Sequence, residues 1–301
     1  MTPVPSRLRA VLRLAAFVVM NLLVVSAYAA CVGPLRRWKR RVQLFWCRLC
    51  LRIIGMKVRV IGQCHRETPI LFVANHLSYL DIPVISTAVD GSFVAKAEVR
   101  DWPWFGLIAR ITGTIFVNRV GSQALQQRHE LLARLRDGKN LILFPEGTST
   151  DGRGVAPFKS TLFNIAERLP PGEALTIQPV SIAYVRYADG TPLSGPLREL
   201  YGWFGDMALA PHLFRAMGMK GCEVELRFHS PITVDRTADR KRLAREAHTA
   251  VARGVAASQA GISDAEPWVE DPAEQPLAGI PLNAARSESA GERRRSAPGG
   301  R

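Results

Sequence analysis

The sequence predicts an α/β domain in which a mixed, largely buried sheet is flanked by helices, with a membrane-binding helical segment at the N-terminus. From residue 56 onwards, short apolar stretches typical of strands alternate with longer stretches of helical spacing. Before residue 56, long apolar stretches are interspersed with Lys and Arg. We therefore expect membrane-anchoring helices over residues 1–55, a globular domain over 56–262 and a disordered tail over 263–301, where Pro, Gly, Ser, Glu and Arg dominate.

The positive charge of the chain is concentrated in its first fifth. The formal net charge is +14, and residues 1–66 contain thirteen Lys and Arg residues but no Asp or Glu. So basic a chain could bind nucleic acid. Here the basic side chains alternate with apolar and aromatic ones, which favours an anionic membrane surface as the partner and no nucleic acid.

Two helices are predicted in this basic region. Residues 14–33 are apolar and long enough to cross a bilayer core. A cleaved signal peptide is disfavoured, because the cluster "RRWKRR" at residues 36–41 would have to be translocated. A spanning helix is favoured over a signal peptide, because this cluster would keep the following chain in the cytoplasm. A helix that lies within one leaflet is equally allowed, because the polar residues Asn21 and Ser26 weaken a membrane-spanning segment. Residues 38–54 have the spacing of a basic amphipathic helix, with a soluble core helix as the alternative. The predicted location is the inner (plasma) membrane, with the domain on its cytoplasmic face.

The cysteines do not predict a disulfide framework, because their number is odd and their spacing irregular. The chain has five, namely Cys31, Cys47, Cys50, Cys64 and Cys222. The second and third form C-x-x-C, but no further Cys or His pair lies at zinc-ligand spacing. We expect these two side chains to pack towards the membrane rather than to bind metal.

Strands and helices alternate through the rest of the chain. Alternating or fully apolar stretches predict strands, and apolar side chains at helical spacing predict helices. The predicted strands are residues 56–62, 69–74, 92–96, 113–119, 140–143, 175–185 and 222–232, and the predicted helices are 122–137, 160–169 and 235–258. Pro179 interrupts the strand over 175–185, which we therefore expect to be bent or at a sheet edge.

The stretch "NHLSYLD" follows a buried strand and contains a candidate acid–base pair, His76 and Asp81. A neutral imidazole can take a proton from a hydroxyl, and a carboxylate on its other nitrogen fixes the tautomer. The two side chains can meet only if His76 lies in the loop and Asp81 lies at or near the start of the next helix. The alternative is a capping box formed by Ser78 and Asp81. Pro83 weakens this alternative, because proline prefers the first helical position.

Two further strands end in polar residues. Glu146 and Gly147 follow the strand "NLIL", where glycine lets the backbone approach a ligand and the carboxylate could bind a hydroxyl. Arg119 ends the strand "GTIFVNR", where a guanidinium can hold a phosphate or carboxylate through two hydrogen bonds. The alternative for Glu146 and Gly147 is a plain Pro/Gly turn without a binding role, and the alternative for Arg119 is an ordinary surface arginine.

Four motifs occur in a fixed order along the chain: N-H-x-x-x-x-D, G-x-I-F-x-x-R, F-P-E-G-T and I-Q-P-V-S-I-A-Y. In this order they resemble the glycerolipid acyltransferases, most closely the lysophosphatidate (1-acylglycerol-3-phosphate) acyltransferases, over about residues 60–230. The resemblance implies a membrane-bound O-acyltransferase of phospholipid biosynthesis. It would move a fatty acyl group from acyl-CoA or acyl-carrier protein to 1-acylglycerol-3-phosphate, giving phosphatidate. No metal and no cofactor beyond this co-substrate are implied.

The resemblance also implies roles for individual residues. His76 would be the general base that deprotonates the acceptor hydroxyl, and Asp81 would orient it. The implied substrate contacts are Asn75, Lys96, Arg119, Glu146, Gly147, Thr148, Lys159 and Pro179. The implied partners are membrane lipids, a lysolipid acceptor and the acyl donor.

Two positions depart from the lysophosphatidate pattern. Asn118 stands where an acid or similar residue usually precedes the arginine, and Ser149 stands where many of these enzymes have an arginine. Losing that charge-assisted phosphate contact costs roughly 1.5–3 kcal/mol. This departure argues against a phosphate-headed acceptor, and the resemblance offers lyso-ornithine lipid, which some bacterial relatives acylate, or another lysolipid as the alternative. A lipid hydrolase and an inactive membrane adaptor are the less favoured alternatives to an acyltransferase. Residues 201–213, "YGWFGDMALAPHL", are either an acceptor-selecting segment or an amphipathic membrane contact.

Overall fold

The fold is known from a computed structural model. It describes residues 4–30, 38–66, 69–102, 105–117, 124–167, 169–170, 172–235 and 237–262. The predicted tail at 263–301, together with Asn118 and Arg119, lies outside the described residues. Within them, the predicted class is confirmed: the protein is a mixed α/β structure with a central sheet flanked by helices.

The described residues form seven α-helices and eight strands. The helices are α1 (Arg7–Ala30), α2 (Lys39–Ile54), α3 (Asp81–Ser86), α4 (Phe105–Ile111), α5 (Ala124–Arg136), α6 (Leu209–Gly218) and α7 (Arg240–Gln259). The strands are β1 (Met56–Ile61), β2 (Ile70–Ala74), β3 (Gly91–Lys96), β4 (Ile115–Val117), β5 (Asn140–Leu143), β6 (Leu175–Tyr187), β7 (Cys222–Phe228) and β8 (Ile232–Val234). Three 3₁₀ segments connect them, at Ala97–Asp101, Ser160–Phe163 and Gly195–Leu200.

The strands form one sheet in the order β1-β7-β6-β2-β5-β3-β4, and β8 pairs with β6. Strand β2 is parallel to both of its neighbours, β5 and β6. Strand β7 is antiparallel to β6, and β1 is parallel to β7. Because Val73 of β2 is in register with Leu143 of β5, the loops that leave these two strands begin side by side at the same edge of the sheet.

Strand β2 is buried on both faces. Ile70, Phe72 and Ala74 pack into the cluster that includes α1, α2, α3 and α6. Leu71 and Val73 pack into the opposite cluster, with α5 and α7. A strand covered on both sides needs a continuous apolar run rather than an alternating one, and this is why "ILFVA" carries no polar residue until the strand ends.

Strand β6 differs from the prediction of a bent or edge strand, because it is continuous and lies in the middle of the sheet. Its first part pairs with β8 and its later part, from Val180, with β7. Pro179 falls at the changeover. Its carbonyl accepts a hydrogen bond from the His229 N–H, 3.0 Å away, so its nitrogen faces the same gap between two partner strands. No ladder bond is needed there, and proline is tolerated in a central strand.

Two predicted helices differ in extent. The stretch 160–169 forms only the 3₁₀ turn Ser160–Phe163 followed by turns, and Phe163 and Ile165 are buried under α7 all the same. Helix α7 begins at Arg240 rather than at 235, because the Asp239 carboxylate accepts the Lys241 N–H at 2.8 Å and caps the helix there.

Helices α1 and α2 pack against each other as an antiparallel hairpin. Trp46 Nε1 of α2 donates to the Asn21 carboxamide of α1 at 3.1 Å, and Lys39 lies 5.2 Å from the Tyr28 ring. Leu51 and Ile54 of α2 belong to the same core cluster as β2. The predicted boundary at residue 55 therefore does not separate two packing units, because α2 uses its apolar face to cover the sheet domain.

The C-x-x-C pair faces the domain rather than the membrane. Cys47 and Cys50 are buried on the side of α2 that packs on α3, and burial raises the pKa of the Cys47 thiol to about 12. Thiols in such surroundings are inert packing groups.

Candidate active site

The polar site begins where β2 ends. The Asn75 carboxamide donates to the Ile182 carbonyl at 2.9 Å and accepts the Ile182 N–H at 2.8 Å. This side chain therefore extends the pairing of β2 with β6 by one position. Asn75 was predicted to contact substrate, but it is buried and both ends of its amide are bound to β6. Its effect is to hold the start of the loop that carries His76.

His76 and Asp81 meet as the spacing requires. His76 lies in the loop, and Asp81 is the first residue of α3. The His76 Nδ1 atom lies 2.8 Å from Asp81 Oδ2. Because a carboxylate can only accept, Nδ1 carries the hydrogen and Nε2 of the neutral ring keeps its lone pair.

The Asp81 carboxylate is fully buried and surrounded by donors. Besides the imidazole, its Oδ2 atom accepts the backbone N–H groups of Leu77 at 2.6 Å and Ser78 at 2.9 Å. Its Oδ1 atom accepts the Tyr184 hydroxyl at 2.8 Å. These four donors offset the loss of hydration. The Ser78 bond is one half of the predicted capping box, so the same oxygen closes the turn and orients the imidazole.

Tyr184 is the residue of this site that the sequence reasoning missed. It lies on β6, on the same face of the strand as Val180 and Ile182. Burial and the neighbouring Asp81 charge raise the pKa of its hydroxyl well above the ordinary value, so it remains a donor. A tyrosine at an apolar position of a buried strand needs a hydrogen-bond partner. That was the available signal, but it did not identify Asp81 as the partner.

The imidazole of His76 is supported on one face by aromatic rings. It stacks on Phe144 with a centroid distance of 4.2 Å and an interplanar angle of 15°, and Phe144 in turn stacks on Phe93. The His76 side chain is 20% exposed. Among the described residues no group hydrogen-bonds its Nε2 atom, so the nitrogen that carries the lone pair is available to a ligand.

Glu146 joins the loop after β5 to the loop after β2. Its two carboxylate oxygens accept the His76 N–H at 2.6 Å and the Ala156 N–H at 2.8 Å. The side chain is 2% exposed, and burial raises its pKa to about 7. The Thr150 N–H also donates to the His76 carbonyl, at 3.0 Å. This differs from the predicted contact with the acceptor: Glu146 is inside the protein and holds the backbone of His76.

The other predicted contacts have different surroundings. Gly147 adopts a positive φ of 70° in the turn closed by its N–H bond to the Phe144 carbonyl. Thr148, Lys96 and Lys159 have exposed side chains, whereas Pro179 is buried in β6. The predicted role of Arg119 concerns a residue outside the described part of the chain. Within that part, no group of three or more His, Cys, Asp or Glu side chains is arranged to hold a metal ion.

Comparisons with known proteins show which family this chain resembles. Residues 56–183 match the family model described as "Acyltransferase". The chain is 38% identical over 242 residues to a lyso-ornithine lipid O-acyltransferase of Brucella abortus, covering 79% of this chain and 90% of that protein. It is 30% identical over 213 residues to a 1-acyl-sn-glycerol-3-phosphate acyltransferase of Neisseria gonorrhoeae, covering 70% of this chain and 78% of that protein.

A solved structure is similar in fold. The crystal structure of the 1-acyl-sn-glycerophosphate (LPA) acyltransferase PlsC from Thermotoga maritima superposes with a TM-score of 0.59 at 22% sequence identity. The match covers 83% of this chain and 93% of that protein. This likeness supports the mixed α/β fold, and the sequence relatives support membership of their family.

The hydrogen bond from Tyr184 to Asp81 is expected to contribute measurably to stability. Tyr184→Phe leaves one oxygen of a buried carboxylate without its donor, at a cost of about 1.5–3 kcal/mol in the free energy of unfolding. Tyr187→Phe is the matched control, because within the described residues that hydroxyl on the same strand accepts only the uncharged backbone N–H of Lys220. Its loss should cost about 0.5–1.5 kcal/mol. Thermal and denaturant unfolding measure both variants, and equal effects would contradict the assignment.

Proposed function

The chain belongs to the acyltransferase family of lysolipid-acylating enzymes, and on this premise we propose that it transfers a fatty acyl group from a thioester donor to the hydroxyl of lyso-ornithine lipid. The observation that carries the proposal is the 2.8 Å hydrogen bond between His76 Nδ1 and Asp81 Oδ2. It leaves Nε2 as a proton acceptor on a partly exposed ring at the rim of the sheet.

The proposed reaction is a direct transfer. His76 Nε2 accepts the proton of the acceptor hydroxyl as its oxygen attacks the thioester carbonyl carbon. Asp81 stabilises the imidazolium that forms. The C–S bond then breaks, an ester is formed, and the imidazolium returns its proton to the leaving thiolate. The thioester is already activated, so the step requires no further cofactor. The donor is acyl-CoA or acyl-carrier protein, both of which present the same reacting group.

The choice of acceptor rests on two observations. Ser149 stands where an arginine would contact a phosphate, which removes a charge-assisted hydrogen bond from a phosphate-headed acceptor. In addition, the relatives named lyso-ornithine lipid O-acyltransferases share 37–38% identity with this chain, against 30% for those named 1-acyl-sn-glycerol-3-phosphate acyltransferases. Lysophosphatidate, the acceptor predicted first, therefore becomes the second candidate. The 30% identity to the two Neisseria enzymes of that name supports it as the second candidate.

We further propose that the α1–α2 hairpin lies within one leaflet, at the cytoplasmic face of the inner membrane. Arg7–Tyr28 has the length and mean hydropathy, 2.2, of a membrane-crossing helix. Its outward face is exposed and apolar, and consists of Leu8, Val11, Leu12, Val18, Val19, Leu22 and Leu23. However, α2 runs antiparallel beside α1 and carries Lys39, Arg40, Arg41, Arg48 and Arg52. A spanning α1 would draw these cations into the hydrocarbon, which is costly.

A lysolipid panel tests the proposed acceptor. Purified protein in detergent receives acyl-CoA or acyl-carrier protein together with lyso-ornithine lipid or lysophosphatidate. We expect kcat/KM to be at least about tenfold higher for lyso-ornithine lipid, the size of one charge-assisted phosphate contact. His76→Ala is the control for enzyme-dependent transfer and should abolish it. Turnover of lysophosphatidate alone would reject the acceptor, and unimpaired transfer by His76→Ala would reject the mechanism.

A matched pair of double variants tests the membrane surface. Leu12→Glu with Leu23→Glu places two charges on the outward face of α1, where we expect binding to vesicles of anionic phospholipid to fall by about tenfold or more. Thr249→Glu with Ala256→Glu adds the same charge to the exposed surface of α7 and should bind as the wild type does. Vesicle flotation measures both, and equal binding of the two double variants would exclude α1 as the contact.

A further inference from the structure

Helix α1 is joined to the C-terminal end of α6 by hydrogen bonds to backbone carbonyls. The Arg13 guanidinium donates to the carbonyls of Met219 at 2.7 Å and Met217 at 3.3 Å, and also to the Ile54 carbonyl at the end of α2 at 2.8 Å. The Arg9 guanidinium and the Ser6 N–H both donate to the Gly218 carbonyl at 3.0 Å. The last carbonyls of a helix have no partner within the helix. Side-chain and backbone donors of the N-terminal segment bind these carbonyls, so the C-terminal end of α6 packs against the start of α1.

The other part of α6 is joined to the catalytic loop, which we define as residues 76–81. His212, in the first turn of α6, has its Nδ1 atom 3.0 Å from the Tyr79 hydroxyl, and the two rings meet edge to face. His212 is 3% exposed. Just before α6, the Trp203 N–H donates to the Leu77 carbonyl at 2.9 Å. The segment around α6 therefore holds the catalytic loop at two points.

Tyr79 lies in the chain between Asp81 and the backbone groups that bind its carboxylate. Its neighbour Ser78 donates its N–H to Asp81 Oδ2, as does Leu77. A displacement of Tyr79 would move these donors and would alter the orientation of the imidazole. Tyr79 does not itself contact His76 Nε2, so its effect on the reaction passes through the loop.

We propose that α6 is a strut through which the docking of α1 sets the catalytic loop, with Tyr79 and His212 as positioning residues for the His76–Asp81 pair. Helix α6 has ten residues, and from His212 to Gly218 it rises about 9 Å at the usual 1.5 Å per residue. This length separates its contact with the catalytic loop from its contact with α1. This inference rests on the proposed role of His76, and it assigns a purpose to the stretch 201–213, for which the sequence left two alternatives. The contact of α1 with lipid would thereby influence the geometry at the proposed catalytic base.

Amide hydrogen exchange of the full chain in detergent micelles tests the strut without any substrate. Arg13→Gln removes the bonds to the end of α6 together with the bond to Ile54 of α2, and we expect the amides of residues 77–81 to exchange at least about fivefold faster. Arg7→Gln is the matched control, because it removes the same charge from an exposed position of α1 that makes no hydrogen bond or ion pair within the described residues. It should leave these amides unchanged.

The exchange pattern decides the outcome. Faster exchange in residues 77–81 with unchanged exchange in α7 supports the strut. Unchanged exchange in the catalytic loop overturns it, whether or not α6 itself responds. A similar increase in α7 also overturns it, because the effect of Arg13 would then be a general loss of stability.

A double-mutant cycle on acyl transfer gives a second test. Arg13→Gln and Tyr79→Phe should each lower kcat about fivefold with little change in KM, and the double variant should be no slower than the slower single variant. Substitutions at separate sites that act independently would multiply instead, and that result overturns the inference. Because exchange is measured without substrate, a failure of the strut is distinguishable from a wrong acceptor or a dispensable His76, which the lysolipid panel reveals.

Discussion

The buried carboxylate of Asp81 is the interaction on which the rest of the site depends. Four donors from two parts of the chain converge on it: the His76 imidazole with the backbone of Leu77 and Ser78, and the Tyr184 hydroxyl. A buried charge is tolerated only when its hydrogen bonds are complete. The requirement to satisfy this carboxylate therefore fixes the path of the loop, the start of α3 and the orientation of the imidazole at the same time.

The sheet topology makes this convergence possible. The parallel arrangement of β2 between β5 and β6 brings the loops after β2 and β5 to one edge. Glu146, in the loop after β5, then accepts the His76 N–H, and Asn75, in the loop after β2, binds the backbone of Ile182 on β6. Each of these buried polar side chains binds backbone. Their contribution is to position the exposed His76 ring, while the groups that would meet substrate lie further out.

The sequence predicted those features that depend on local spacing. The pairing of His76 with Asp81 is a contact over five residues, and the apolar run before it sufficed to place a buried strand. The binding partners of Tyr184, Asn75 and Glu146 were not predictable in the same way. Their partners lie 103, 107 and 70 residues away in the chain, so that only the strand order brings them together. The prediction of a strand that is bent or at an edge at Pro179 missed its central place for the same reason, because the position of Pro179 between the stretches paired with β8 and β7 depends on non-local pairing.

The tautomer of His76 tests the central claim most directly. The protein can be labelled with ¹⁵N at its six histidines, and the His76 signals can be assigned by their absence in His76→Gln. For the neutral ring, the account predicts a protonated Nδ1 and an unprotonated Nε2 in the wild type, with a shift of the population towards Nε2–H in Asp81→Asn. A wild-type ring that carries its hydrogen on Nε2 would contradict the account, because the atom assigned to accept the proton would then already hold one.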